Sequence, residues 1–320
     1  MIKVLLLPAL MATLVVSVHA VPALVEGNAD IVISNGDTHI LTYHKAEVLP
    51  PEGASPLYRR SGFIHPLTAP NGGVVTSIHA PDHFHHMGLW HAWVQTRHKG
   101  RKLDFWNLKK GQATIRYVET RELRRTDTGV GFTVCQHHVV LPDEVILEEL
   151  FSVDVQLHPD GHTLVDYRTV QRNVTQDALE LPAYRYGGCL AYRGPLHWNN
   201  DNSGVLTSEG KSREDGHTTR ATWCRFTGPT ERGPVGVSIM GHPGNRDAPS
   251  ASGSGRPART RGPCSIILFP SRSTPGPWNP AKRPPCATGS CSPPGRPRPG
   301  RSNPGTGPIP GRGPRLRGEA

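Results

Sequence analysis

Apolar and polar residues alternate in two parts of this chain that turn back on themselves, and this pattern constrains its fold most. Residues 145–157 and 162–170 alternate over part of their length, and His158-Pro159-Asp160-Gly161 between them has the chemistry of a turn. Nearer the N-terminus, residues 30–34 and 38–43 flank an Asn-Gly turn, which supplies the positive φ angles that a tight hairpin needs. Both patterns predict antiparallel hairpins.

The rest of the chain up to residue 247 also reads as β structure. No segment of a dozen residues keeps a 3.6-residue apolar period, and Gly and Pro interrupt the chain too often for long helices. We therefore predict an all-β fold, a large β-sandwich over residues 21–247. The further strand candidates are residues 111–120, 131–140, 218–226 and 235–240.

The first twenty residues have the features of an export signal. Lys3 precedes an apolar run over residues 4–16, and Val18-His19-Ala20 offers a small-residue cleavage site. The run is short for a membrane span, which needs about twenty residues, although a retained anchor is the alternative. No later stretch approaches that length, so we expect no transmembrane span after the signal and a periplasmic or secreted protein.

The basic excess of the chain is confined to its C-terminal part. Residues 1–247 carry 24 Lys and Arg against 25 Asp and Glu, whereas residues 248–320 carry 12 against one. Because the folded part is nearly neutral, nucleic acid is not expected as its partner.

Residues 248–320 are rich in Pro, Gly and Arg and predict a disordered tail. One interpretation is a basic extension that touches polyanions or cell wall. The other is a frameshift product, because out-of-frame GC-rich text has this composition. The sandwich would then be truncated at its C-terminal end, with exposed sheet edges.

A histidine-rich stretch at residues 81–93 is the strongest functional signal. It holds four of the seventeen histidines and two of the six tryptophans. In an extended strand His83 and His85 share one face and His86 takes the other, whereas a turn at Pro81-Asp82 brings the three together. Imidazole serves both proton transfer and metal binding. The alternative is that these histidines are hydrogen-bonded parts of a sheet edge.

A second group of polar and aromatic residues follows between residues 184 and 223. It combines aromatic faces that can stack on a sugar ring, amides that can bind hydroxyls, a carboxylate and further histidines. The alternative is a set of polar connections between strands, with Trp198 and Trp223 packed in the core.

The cysteines give a weak signal. Cys135, Cys189 and Cys224 precede the tail and Cys264, Cys286 and Cys291 lie in it, without a C-x-x-C spacing. A Cys189–Cys224 bridge in an oxidising compartment and three buried thiols are both consistent with this pattern.

Several motifs together resemble the exported bacterial family labelled methane oxygenase PmoA, over about residues 40–247. The resemblance implies a β-supersandwich similar to galactose mutarotases and related carbohydrate-active proteins. Methane oxidation itself is not expected, because a subunit of the particulate complex would need several apolar spans. The motifs are residues 60–66, 81–90, 104–106, 186–188, 207–211, 215–217 and 241–243.

We therefore expect a protein that acts on or binds carbohydrate or another small polar ligand. The acid–base candidates are His83, His85 and His86, with Glu209 and His217 as partners. One alternative is a non-catalytic glycan-binding module. The other is a metal protein with ligands among His83, His85, His86 and His242. The sequence requires no cofactor, and a His-bound metal ion is the only cofactor that we consider. The ligand-contact candidates are Arg60, Trp90, Tyr186, Trp198, Asn199 and Arg220.

Overall fold

The computed structural model describes residues 21–91, 93–182, 190–217 and 219–245, and the backbone of residues 251–254 and 265–269. All of these lie within one unit of the chain, Met1–Lys282. The predicted signal peptide, the residue 247 boundary and most of the predicted tail fall outside the described residues.

Strands dominate the described residues, which contain one short 3-10 helix at Pro56–Tyr58. None of them forms a helix long and apolar enough to cross a membrane. The strands are β1 (Ala23–Glu26), β2 (Asp30–Asn35), β3 (Thr38–His44), β4 (Phe63–Leu67), β5 (Ile78–Ala80), β6 (His83–Met87), β7 (Leu89–Trp90), β8 (Thr96–His98), β9 (Arg101–Leu103), β10 (Ala113–Arg125), β11 (Gly129–Val140), β12 (Glu144–Leu157), β13 (Thr163–Asn173), β14 (Ala191–Arg193), β15 (Gly204–Thr207), β16 (Trp223–Thr230), β17 (Gly233–Met240), β18 (Ala251–Ser254) and β19 (Ser265–Phe269).

Two sheets form the main layers of the fold. The larger has the strand order β1-β2-β3-β4-β7-β14-β19-β18, and the other has the order β10-β11-β12-β13. A three-stranded sheet, β15-β16-β17, and the hairpins β5-β6 and β8-β9 complete the pattern. The prediction of an all-β fold is confirmed.

Both predicted hairpins are present. β2 and β3 pair antiparallel around a turn in which Gly36 has φ 55°, and β12 and β13 pair around a turn in which Gly161 has φ 84°. A strand predicted at residues 218–226 begins only at Trp223. β19 pairs with β14, so residues 265–269 add a strand to the larger sheet.

The core lies between the two main sheets. Buried residues alternate along most of β12, and Tyr43 of the larger sheet packs on Phe132 and Phe151 of the four-stranded sheet, with ring centroids 5.2 and 5.4 Å apart. The three-stranded sheet joins the same core through Phe226. These aromatic side chains bury large apolar areas, which is the main source of stability for such a sandwich.

Gly88 separates the histidine-bearing strand β6 from β7. Its φ is 67°, and a Cβ at this position would lie 2.4 Å from the Ile64 carbonyl oxygen. Only glycine fits both the backbone conformation and the close approach. The bend therefore lets the chain leave the β5-β6 hairpin and enter the larger sheet at Trp90.

Candidate functional site

The turn at Pro81-Asp82 joins β5 to β6, and the three histidines of β6 lie close together. We call His83, His85 and His86 the histidine cluster. The His86 ring lies 4.6 Å from the His83 ring and 4.6 Å from the His85 ring, measured between centroids, and His83 and His85 are 5.5 Å apart. Strict alternation would have put His86 on the other face, but the pairing of β5 with β6 is irregular between Ala80↔His83 and Ile78↔Met87, and this irregularity breaks the alternation.

A buried arginine from another strand holds the cluster. Arg193, on β14, places one Nη 2.8 Å from Asp82 Oδ1 and the other 3.0 Å from His86 Nδ1. Asp82 Oδ2 in turn lies 2.9 Å from His83 Nδ1. The guanidinium is buried, whereas the side chains of His83 and Asp82 are 48% and 44% exposed. Arg193 therefore anchors the carboxylate of Asp82, which in turn orients the solvent-facing imidazole of His83.

The ionisation of the cluster is set mainly by burial. Burial lowers the pKa of His85 to about 3 and that of His86 still further, and neighbouring histidines and Arg193 add to both shifts. Burial alone would raise the pKa of Asp82, but its hydrogen bond with His83 and the charge of Arg193 leave it below its usual value. At neutral pH the site therefore combines two neutral imidazoles with a carboxylate.

Two tryptophans form the inner wall of the cluster. The His86 ring centroid lies 5.3 Å from that of Trp90 and 6.0 Å from that of Trp106. Both tryptophans are buried. Trp90, predicted as a ligand contact, is thus placed behind His86, where it supports the imidazole.

A second polar group lies in the core of the sandwich. Glu149 Oε2 is 2.8 Å from His138 Nε2 and 3.1 Å from His91 Nδ1, and Thr169 donates a hydrogen bond to the other carboxylate oxygen. Arg60 donates to the backbone carbonyl of His91. We call Arg60, His91, His138 and Glu149 the core network, and all four side chains are buried.

Charge in the core network is balanced internally. Burial alone would raise the pKa of Glu149, but the two histidine partners hold it well below its usual value. Burial lowers the pKa of Arg60 to about 10, so its guanidinium stays charged at neutral pH. Within the described residues Arg60 Nε and Nη1 have no hydrogen-bond partner. The Glu149 carboxylate therefore provides the compensating charge for a buried cation.

The remaining predicted residues lie on or beside the three-stranded sheet. Trp198 is fully buried, and its Nε1 donates to the Pro229 carbonyl at 2.7 Å. This agrees with the alternative in which Trp198 packs in the core. Asn199 accepts a turn hydrogen bond from the Asp201 amide. Glu209 is exposed in the turn after β15, next to Ser208, and Arg220 is also exposed.

His217 is half-buried in the loop before β16, and His242 lies in an exposed turn after β17. Tyr186 and Cys189 fall outside the described residues, whereas Cys135 and Cys224 are buried. The structure thus places the predicted residues in three regions: the histidine cluster, the core and the three-stranded sheet.

Two groups of three side chains in the described part of the chain place metal-ligating atoms within 4.8 Å of one another. One is His91, His138 and Glu149, and the other is Cys135, His137 and Glu148. Neither includes a member of the histidine cluster or His242. The hypothesis of a metal bound by those histidines gains no support from this geometry.

A cleft lies between two hairpin turns. It has a volume of about 380 Å³, and it is lined by the turns β2-β3 and β12-β13 and by the loop after β4. His39, His158 and His162 contribute to it, but no member of the histidine cluster does. The cleft therefore does not coincide with the candidate acid–base residues.

Four of the residues that organise these groups were not among the predicted ones. Asp82 directly precedes His83, so its adjacency was a usable signal. Glu149 and His138 occupy inward positions of strands whose neighbours Phe151 and Val134 are apolar, and a charged residue in that register is a recognisable exception. Arg193 has no local signal, because it lies 111 residues from Asp82 in the chain.

Comparison with known proteins gives one match. No curated protein and no solved structure matches the chain. The family model of DUF6807, a family of unknown function, matches residues 30–281, a segment that contains the histidine cluster, the core network, the four-stranded sheet and the larger sheet except for β1. The chain belongs to the DUF6807 family.

Proposed function

We propose that this chain is an exported carbohydrate-active protein in which Asp82 and His83 carry out acid–base chemistry on a bound sugar. The observation that carries the proposal is the 2.9 Å contact between Asp82 Oδ2 and His83 Nδ1 at a site anchored by Arg193. A carboxylate that fixes one imidazole nitrogen leaves the other to exchange a proton with a ligand.

The neighbouring groups suit a neutral polyhydroxylated ligand. His85 and His86 are neutral imidazoles at neutral pH because burial lowers the pKa of both. A neutral His85 offers a donor and an acceptor to a sugar hydroxyl, whereas His86 accepts from Arg193 through Nδ1 and can offer a ligand only the donor Nε2–H. The resemblance to mutarotase-related proteins points to the same ligand class.

The direct test is binding and turnover of a panel of mono- and oligosaccharides by the full chain. We expect His83→Gln to keep saccharide affinity within a few-fold and to lower turnover by about 100-fold or more, the usual contribution of a general acid or base. Asp82→Asn should lower turnover less. His162→Gln, in the exposed β12-β13 turn, is the matched control.

The same panel separates the alternatives. If saccharides bind without turnover, and His85→Ala and His86→Ala leave the affinity unchanged, the protein is a non-catalytic glycan-binding module. A panel with neither binding nor turnover rules against a carbohydrate ligand.

A further inference from the structure

The outer face of the four-stranded sheet carries a second set of chemically active side chains. Along β11, Val134 and His138 face the core, so the intervening residues Cys135 and His137 share the opposite face. On the adjacent strand β12, Glu148 is the register partner of His137. Three different metal-ligating groups thus meet on one sheet surface.

We propose that Cys135, His137 and Glu148 bind a zinc ion on this face. Their ligating atoms, a thiol sulfur, an imidazole nitrogen and a carboxylate oxygen, lie within 4.8 Å of one another. Zinc binds these three donor types at bond lengths of about 2.0–2.3 Å, so small side-chain rotations bring the atoms to ligand separations. Two residues from one strand and one from its neighbour form a rigid platform.

Glu119 can supply a fourth ligand from β10, the strand on the other side of Cys135. Glu119, on β10, is the register partner of Cys135 across the sheet, and its side chain is 49% exposed and forms an ion pair with Arg121. Its carboxylate can turn from Arg121 to the metal and complete a four-coordinate shell. The two carboxylates and the thiolate offset the charge of the cation.

Zinc binding at this site involves one balanced proton exchange. Zinc binds cysteine as the thiolate and histidine as the unprotonated imidazole. On binding, the sulfur–metal bond replaces the S–H bond, and one proton per chain passes to solvent.

The core network is a poorer metal site although its three ligand atoms are equally close. The Arg60 guanidinium lies in that network, and a dication would add like charge where all side chains are buried. In the Cys135 group the thiol is buried, but the Glu148 side chain is 23% exposed and His137 is half-buried. Arg172, which pairs with Glu148, and Arg121 also border the group, but their side chains are 69% and 49% exposed and can turn to solvent. A metal ion can therefore reach it from solvent.

Cobalt(II) titration of the reduced, metal-free full chain tests the proposal, because cobalt replaces zinc and gives a thiolate-to-metal absorption band. We expect one cobalt per chain with this band, displacement by zinc, and release of one proton. Cys135→Ala should abolish the band. His137→Gln should weaken the affinity for cobalt by about 10-fold or more, as mutation of residues around protein-bound metals commonly does.

Matched variants separate this site from the other thiols and histidines. The band should persist when Cys264, Cys286 and Cys291 are all replaced by alanine, in Cys189→Ala, in Cys224→Ala and in His83→Gln. Absence of cobalt uptake, uptake without the thiolate band, or a band that survives in Cys135→Ala contradicts the proposal.

Glu148→Gln provides a second test if Cys135→Ala does not fold. Glutamine has nearly the same shape, and circular dichroism shows whether this variant is folded. At the same zinc concentration the Tm should rise less for Glu148→Gln than for the parent protein, because loss of one ligand weakens zinc binding. An equal zinc-induced rise in both proteins also contradicts the proposal.

Discussion

Glu149 occupies a position where the alternation of β12 calls for an apolar side chain. Its neighbours on the same inward face, Leu147 and Phe151, are buried in the core, and Glu149 is buried with them at 0% exposure. It is retained there by hydrogen bonds from His91, His138 and Thr169 and by the charge of Arg60. A carboxylate in this setting stabilises the fold only as long as all of its partners remain.

Glu149→Gln is therefore expected to destabilise the protein strongly. The amide removes the negative charge and leaves the Arg60 guanidinium uncompensated in the core. Breaking a buried pair in this way costs about 3–5 kcal/mol. Urea unfolding followed by circular dichroism measures the change.

Glu209→Gln is the control for this prediction. Glu209 is exposed in a turn, so its replacement should change the free energy of unfolding by no more than about 0.5 kcal/mol. Equal free energies of unfolding for Glu149→Gln and Glu209→Gln would show that the Glu149 charge does not compensate the Arg60 charge in the core.

At the scale of elements, the long hairpins were predictable and the short strands were not. The β2-β3 and β12-β13 hairpins follow from local turn chemistry and from alternation over enough residues to show a period of two. β5, β7, β8, β9 and β14 have two or three residues each. So few residues show no period, and their formation depends on partners elsewhere in the chain.

The same limit applies to the site. The histidine stretch was evident from composition, but its geometry depends on an irregularity in the pairing of β5 with β6, which the sequence does not indicate. The role of Arg193 could not be predicted from the sequence, because it arises only when β14 pairs with β7. Trp198 could not be assigned to a ligand site or to the core from its sequence neighbours, and packing against Gly228 places it in the core. The supersandwich resemblance stays a prediction.

At the scale of the whole molecule, several partly or fully buried histidines make stability depend on pH. Burial lowers the pKa of His65 to about 4 and that of His85 to about 3, from a usual value of 6.5. Below pH 6.5 the unfolded chain binds protons that the folded chain does not, so stability is present above that pH and is lost as pH falls towards the folded-state values.

Each such histidine should therefore reduce the free energy of unfolding by up to about 2 kcal/mol between neutral pH and pH 5. His65→Gln, which keeps a side chain able to bond Thr76 but cannot be protonated, should flatten the decline. His162→Gln, at an exposed position, should not. Urea unfolding at several pH values measures the slope, and a His65→Gln slope equal to that of the parent would contradict the prediction.

The central claim is that Asp82 orients His83 for proton exchange, and the tautomer of His83 tests it most directly. Nitrogen NMR of the ¹⁵N-labelled histidine rings, recorded at a pH where His83 is neutral, distinguishes the two ring nitrogens. We expect the proton on Nδ1, donated to Asp82, with Nε2 unprotonated, and a shift to the Nε2-protonated form in Asp82→Asn. A parent protein whose neutral His83 carries its proton on Nε2, as in Asp82→Asn, would contradict the account.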